Sequence, residues 1–259
     1  MSMRFGLRGD FEQLELAKRA GFQYLEMKVT EIAGWDDITF RRHLEEIQES
    51  GMECRCFNVL FPGDMSLLGE EADEAKRDQY LHQAFARLQQ MDGEIVVFGS
   101  GRARRKPEGM EFFRAYQELV KVTRTIGEIA SQYSLTIVIE PLNRMECNMI
   151  NSMAEGALLV ADVDLANVRL LTDLYHVSMD QEPLSDITRI GNFAHVHVAS
   201  RKDRRYPFPG QADDYAQFFR RLEEIGYTGR ISIEGGAEDI VHEGRISLNY
   251  LKKLWENAR

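Results

Sequence analysis

The chain has 259 residues, 44% hydrophobic and 29% charged, enough for a sizeable core and too apolar for a disordered or fibrous protein. Its 32 Lys and Arg against 42 Asp and Glu leave a formal charge of −10, which repels phosphate backbones, so no nucleic-acid partner is expected. No apolar run approaches the roughly 18 residues that cross a bilayer, and the opening MSMRFGLRGDFEQ has no signal-peptide core, so the expectation is a cytoplasmic protein with no membrane role.

In chain order, short β-rich runs alternate with longer amphipathic ones from end to end, the rhythm of repeated βα units around a parallel sheet. Eight strands are expected: Arg4 to Leu7, Tyr24 to Val29, Glu53 to Phe61, Ile95 to Ser100, Leu135 to Pro141, Val168 to His176, Phe193 to Ser200 and Arg230 to Gly235. Between the last two, Tyr215, Phe218, Phe219, Leu222 and Ile225 recur at three- and four-residue steps before Gly226, which marks a core-facing helix and its stop. Eight units of about 32 residues suit an α/β fold of the single (β/α)8 TIM barrel kind, with residues 1–259 as one domain. The rival, a doubly wound sheet, lacks its phosphate loop: the glycine-rich exit Gly99-Ser100-Gly101-Arg102 has no later glycine of that motif. Cys54, Cys56 and Cys147 form no CxxC pair, and Cys54 and Cys56, alternating onto one face of a strand-like run, are read as small core residues.

A barrel carries its chemistry at the carboxyl ends of its strands. There the second half of the chain delivers Glu140 after Thr136-Ile-Val-Ile, Asp173 after Leu171-Thr, His197 in His195-Val-His-Val, and Glu234 after Ile231-Ser-Ile. A carboxylate at the end of an apolar run is costly to bury unless it is paired or binds a metal. A salt bridge or helix cap explains any one of these residues. Four of them, 33, 24 and 37 residues apart or about one βα unit each, point to convergence on a divalent ion. Three carboxylates and one imidazole form an oxygen-rich set that suits Mn²⁺, Mg²⁺ or Co²⁺, with Zn²⁺ also open on ligand types alone, and one such ion, Mn²⁺ first, is the expected cofactor. His195 shares the inward face of its strand but lies one layer deeper, as a hydrogen-bonded core residue rather than a ligand.

The run Glu140-Pro-Leu-Asn-Arg-Met-Glu146, followed by Asp173-Leu-Tyr-His176, His195-Val-His197-Val and Ile-Ser-Ile-Glu234, resembles the xylose isomerase-like TIM barrels, closest to their ketose 3-epimerase and hydroxypyruvate isomerase group. The resemblance covers about residues 135 to 236; the first half matches in its βα rhythm and in Phe22-Gln-Tyr-Leu-Glu26. It implies that Glu140 and Glu234 both hold the metal and act as the catalytic acid and base, that Asp173 and His197 complete the metal site, and that Glu146 and His176 contact substrate oxygens. It also implies a substrate-binding arginine after the seventh strand, for which Arg204 is the nearest equivalent, with Arg201 and Arg205 as neighbours still in contention. Homo-oligomers are common in the group.

A divalent ion that chelates a carbonyl and an adjacent hydroxyl stabilises the enediolate formed when a proton leaves the carbon between them. Two glutamates let the proton return from the other face, which epimerises a sugar, or to the neighbouring carbon, which isomerises it. A metal-dependent dehydratase of a keto-polyol is the alternative on the same scaffold. An apurinic endonuclease needs histidines where Asn58, Ser100 and Asp203-Arg-Arg205 stand, and a non-catalytic sugar-binding barrel has no reason to keep the set. Among the remaining residues, Glu26 and Asn58 end near the rim and are candidates for substrate hydroxyls. The arginines of Ser100-Gly-Arg-Ala-Arg104-Arg105 are candidates for an anion, Trp35, Phe61 and Phe208 for a lid, and His43, His82 and His242 are read as surface.

Overall fold

The computed structural model describes residues 3–258. Eight parallel strands close on themselves in chain order: β1 (Arg4–Arg8), β2 (Tyr24–Lys28), β3 (Glu53–Asn58), β4 (Ile95–Phe98), β5 (Thr136–Ile139), β6 (Val168–Asp173), β7 (Phe193–Val198) and β8 (Arg230–Ile233). The ring closes through β1 and β8, where Gly6 pairs with Ser232 and Leu7 with Ile233.

Eight helices cover the outside, one after each strand: α1 (Leu14–Ala20), α3 (Asp37–Ser50), α4 (Glu74–Gln90), α5 (Phe112–Gln132), α6 (Met153–Val163), α8 (Ser185–Ile190), α9 (Tyr215–Glu224) and α10 (Ile240–Ala258). Two further short helices, α2 (Val29–Gly34) and α7 (Leu174–Met179), start directly from the ends of β2 and β6. In α9 the expected stripe of Tyr215, Phe218, Phe219 and Leu222 is buried, and Gly226 follows with φ +66. No helix among the described residues is long and apolar enough to cross a membrane.

Strand alternation sorts the side chains into two sets. Outward residues such as Leu7, Leu25 and Ile233 join the helices in one large core, while inward residues stack in layers inside the barrel. At the amino-terminal end Arg230 is held 2.6 Å from Glu53 and 2.7 Å from Glu94. Val97, Val138 and Leu171 pack above them, and the polar rim lies above these. The three cysteines are buried and free.

The main differences from the expected strands lie at their carboxyl ends. β3 stops at Asn58 rather than Phe61 because Val59 turns to φ +47, outside the strand region. β6 stops at Asp173 rather than His176 because the Asp173 side chain accepts a hydrogen bond from the Tyr175 N–H (2.9 Å) and caps α7.

Candidate active site

Glu140, Asp173, His197 and Glu234 meet at the rim of β5 to β8, each offering one ligand atom, all within 4.8 Å of one another. His197 Nδ1 lies 3.0 Å from Glu140 Oε1 and 3.2 Å from Glu234 Oε2. One oxygen of Asp173 caps α7, and the other, Oδ2, is buried without a hydrogen-bond donor. An orphaned carboxylate oxygen is costly, and a bound cation satisfies it. The charge balance fits the same cation. Burial and the charge of Glu234 raise the Glu140 carboxyl, and burial pushes Asp173 up to about 7. Burial works against a charged His197, yet Glu26, Glu234 and Glu140 hold it well above the imidazole range. The same acidic surroundings that favour a charged His197 would favour a divalent ion, which would take the place of the Nδ1 proton.

The layer below fixes the orientation of that imidazole. Glu26, wholly buried on β2, accepts from His197 Nε2 (2.8 Å) and His195 Nε2 (2.7 Å), and Ser232, itself linked to Tyr24, donates to the same carboxylate. With Nε2–H committed to Glu26, Nδ1 is the nitrogen left to face the acidic set. Glu26, expected to reach substrate hydroxyls, lies too deep for that and is engaged with the two histidines instead. Its cluster with His195 and His197 has ligand-type side chains, but both Nε2 atoms already sit at hydrogen-bond distance from the carboxylate.

Glu146, His176 and Arg204 line the same mouth. Asn143 donates its backbone N–H (3.1 Å) and side-chain amide (2.8 Å) to His176 Nδ1, so His176 carries its proton on Nε2. Burial lowers this imidazole to about 3, and the neutral ring leaves a buried, unpartnered Nε2–H 3.7 Å from Asp173 Oδ2. Arg204 donates to Glu234 Oε2 (2.7 Å), lies 3.3 Å from Glu146 Oε1 and stacks 4.5 Å above the Tyr175 ring. Burial opposes the ionised form of Glu234, but Arg204 and His197 hold it below the carboxylate range. Asp203 and Arg204 both have positive φ, and this turn carries the Arg204 guanidinium back over the barrel. Arg201 is exposed, and Arg205 points away to Glu238 and Glu243.

Other expectations need correction. Arg104 is fully buried and donates to the carbonyls of Phe98 (2.8 Å) and Glu140 (2.6 Å), and Arg105 to the carbonyl of Glu146, so these two brace the backbone rather than wait for an anion. Phe61 is buried against Tyr80 and Phe98 and forms no lid. Trp35 packs on Phe11, Phe40 and His43; His43, read as surface, is half-buried and stacked 3.8 Å from Phe11. Phe208 is half-buried, and His82 and His242 are exposed. Ser100 Oγ is taken by the Phe61 N–H.

Two features escaped the sequence reading. Gly99, at the exit of β4, makes room for Glu140: a Cβ there would come 2.2 Å from Glu140 Oε2. Arg8, the last residue of β1, lies 3.9 Å from Glu234 Oε1. Its signal was the period of two from Gly6, one residue past the expected strand end.

The family profile described as xylose isomerase-like TIM barrel matches residues 14–254. The L-ribulose 3-epimerase of Mesorhizobium japonicum is 24% identical over 248 residues, 93% of this chain and 79% of that protein. The 2-oxo-tetronate isomerase of Haemophilus influenzae is 27% identical over 246 residues, 90% of each. In fold, the solved D-psicose 3-epimerase of Clostridium cellulolyticum H10 matches with a TM-score of 0.86 at 17% identity, over 98% of this chain and 99% of that one. Closed barrel, rim chemistry and profile agree: the chain belongs to the xylose isomerase-like TIM barrel family.

Proposed function

We propose that this protein is a divalent-metal-dependent sugar epimerase or isomerase in which Glu140 and Glu234 exchange a proton with a carbon next to a carbonyl. The observation that carries the reading is the pair of glutamates on either side of His197 Nδ1, at 3.0 and 3.2 Å, beside an orphaned Asp173 oxygen. Glu140, Asp173, His197 and Glu234 would hold the ion, Mn²⁺ by preference. Once bound, it would act as a Lewis acid that stabilises the enediolate charge developing on the substrate.

The chain's own groups do the rest. Glu140 and Glu234 come from strands on opposite sides of β6 and β7, so one takes the proton and the other returns it from a different direction. A lone base would hand the proton back to the face it left. The fixed Nε2–H of His176 and the guanidinium of Arg204 are donors for substrate oxygens, and Glu146 is an acceptor held in place by Asn143 (3.1 Å) and Arg204. Return to the same carbon gives epimerisation, as the name of the M. japonicum relative describes, and return to the neighbouring carbon gives isomerisation, as that of the H. influenzae relative describes.

The test is metal content followed by turnover in D2O. About one Mn²⁺ per chain, lost in Asp173→Ala, and deuterium at the carbon next to the carbonyl of the product are expected. A product lacking one hydroxyl would establish dehydration instead. No metal uptake would overturn the reading.

A further inference from the structure

The inward rim positions of β1, β2 and β3 are Arg8, Lys28 and Asn58: Arg8 pairs in register with the inward Glu26, and Lys28 with Asn58. Continuing the ring from the acidic set, next to Glu234, these three positions hold two cations and an amide and no carboxylate. Lys28 is engaged, 2.7 Å from Asp10. Arg8 and Asn58 are not. Arg8 makes no hydrogen bond among the described residues, and its Nε is buried without an acceptor. Asn58 is 2% exposed, and neither its Oδ1 nor its Nδ2 has a partner. The next residue, Val59, is β-branched yet held at φ +47, a strained conformation of the kind that collects at ligand sites.

Building on the sugar epimerase or isomerase reading, we propose that Arg8 and Asn58 form a subsite for an anionic group, a carboxylate or a phosphate, on the sugar substrate. Glu234 gives Arg8 no hydrogen bond: its Oε1 lies 3.9 Å from Arg8 Nε, too far for one, and its Oε2 is turned to Arg204 at 2.7 Å and His197 at 3.2 Å. When Glu234 serves a metal ion, Arg8 faces a divalent cation and a second guanidinium with its closest counter-charge further drawn off. The hydroxyls of a neutral sugar supply acceptors but no charge. A carboxylate or phosphate supplies both, in the fork geometry a guanidinium matches, and Asn58 adds a neutral donor. Leaving the Asn58 amide and the Arg8 Nε buried without partners is costly, which is also how such a site would reject a neutral sugar.

The test compares three six-carbon ketoses, D-fructose, D-fructuronate and D-fructose 6-phosphate, by calorimetric binding to the Mn²⁺-loaded protein. At least one anionic sugar is expected to bind tenfold or more tightly than D-fructose, and which one it is identifies carboxylate or phosphate. Arg8→Gln should reduce that ratio at least tenfold, and Arg8→Lys should restore part of it. Equal binding of all three, no binding of either anionic sugar, or a ratio unchanged in Arg8→Gln would overturn the proposal. Deuterium wash-in is read separately. If it fails while the Arg8-dependent preference holds, the epimerase or isomerase reading falls and the anion subsite stands.

Discussion

The two halves of the barrel present opposite rims. At the ends of β5 to β8 stand Glu140, Asp173, His197 and Glu234, acidic and crowded around a common point. At the ends of β1 to β4 stand Arg8, Lys28, Asn58 and Gly99, basic, neutral or empty. Both are built from the same strand-and-helix repeat, so the contrast lies chiefly in single rim residues rather than in the barrel itself. One half gathers carboxylates around an imidazole. The other makes room and offers donors.

The sharpest way to break this contrast is to neutralise the acidic half without changing its shape. Glu140→Gln and Glu234→Gln are each expected to lower kcat by about 10³-fold, the scale of lost general acid–base catalysis. Both lie at the rim, so far-UV circular dichroism should stay native. Product formation near the wild-type rate in either variant would remove the acid–base assignment.

The empty half can be filled instead. Gly99→Ala would place a methyl 2.2 Å from Glu140 Oε2, so the carboxylate must shift. A displacement on the order of 1 Å at a reacting group costs about 10²-fold in rate, and that loss in kcat is expected at nearly unchanged Tm. A fully active Gly99→Ala would show that the first half does not shape the second.

Support from below the rim crosses between the halves. Glu26 on β2 orients His197 on β7, and Glu26→Gln keeps the volume but replaces one of the two oxygens that receive N–H groups with an NH2. One of the two histidines must then change tautomer or lose its bond. A 10–100-fold weaker Mn²⁺ affinity is expected, the usual scale for a lost ligand-orienting carboxylate, measured by competition with a chelator. Unchanged affinity would make Glu26 a packing residue only.

The two halves were also unequally legible in the sequence. Ionisable residues closing the apolar runs before Glu140 and Glu234 stand out in one dimension, because alternation and a change of polarity are local signals. The eight-unit rhythm is equally local. Glu26 looked like a substrate contact because its partners, His195 and Ser232, lie 169 and 206 residues away and meet it through barrel closure alone. Arg104 looked like an anion site because sequence does not say which of three neighbouring arginines turns inward to bond the carbonyls of Phe98 and Glu140. Arg8 was lost at a strand boundary, and boundaries are where local patterns carry least information. Asp173 shows the same limit, since its cap begins a helix where the apolar run reads on as strand.

Two carboxyls of the second half share a shift but not a setting. Burial pushes both Asp173 and Glu182 up to about 7, but Asp173 stands in the acidic set whereas Glu182 lies between α7 and α8 and accepts the Met153 N–H at the start of α6 (2.9 Å). The folded Glu182 carboxyl therefore holds a proton more tightly than the ordinary 4.5 of the unfolded chain. Its contribution to stability is fully present below pH 4.5 and is lost as the pH rises through about 7. Glu182→Gln stays neutral, so its Tm relative to wild type should be higher at pH 8 than at pH 5. With part of the shift screened by solvent, the gain is on the order of 1 kcal/mol or about 2–4 °C. Mn²⁺ should leave this difference in place, because the charges that act on Glu182 are Asp180, Asp186 and Glu155 and not the acidic set, whereas a cation held by Asp173 would end proton uptake by that carboxyl near pH 7. If Mn²⁺ abolished the Glu182→Gln difference as well, the two carboxyls would be coupled and the rim would not be the separate acidic unit that its geometry describes.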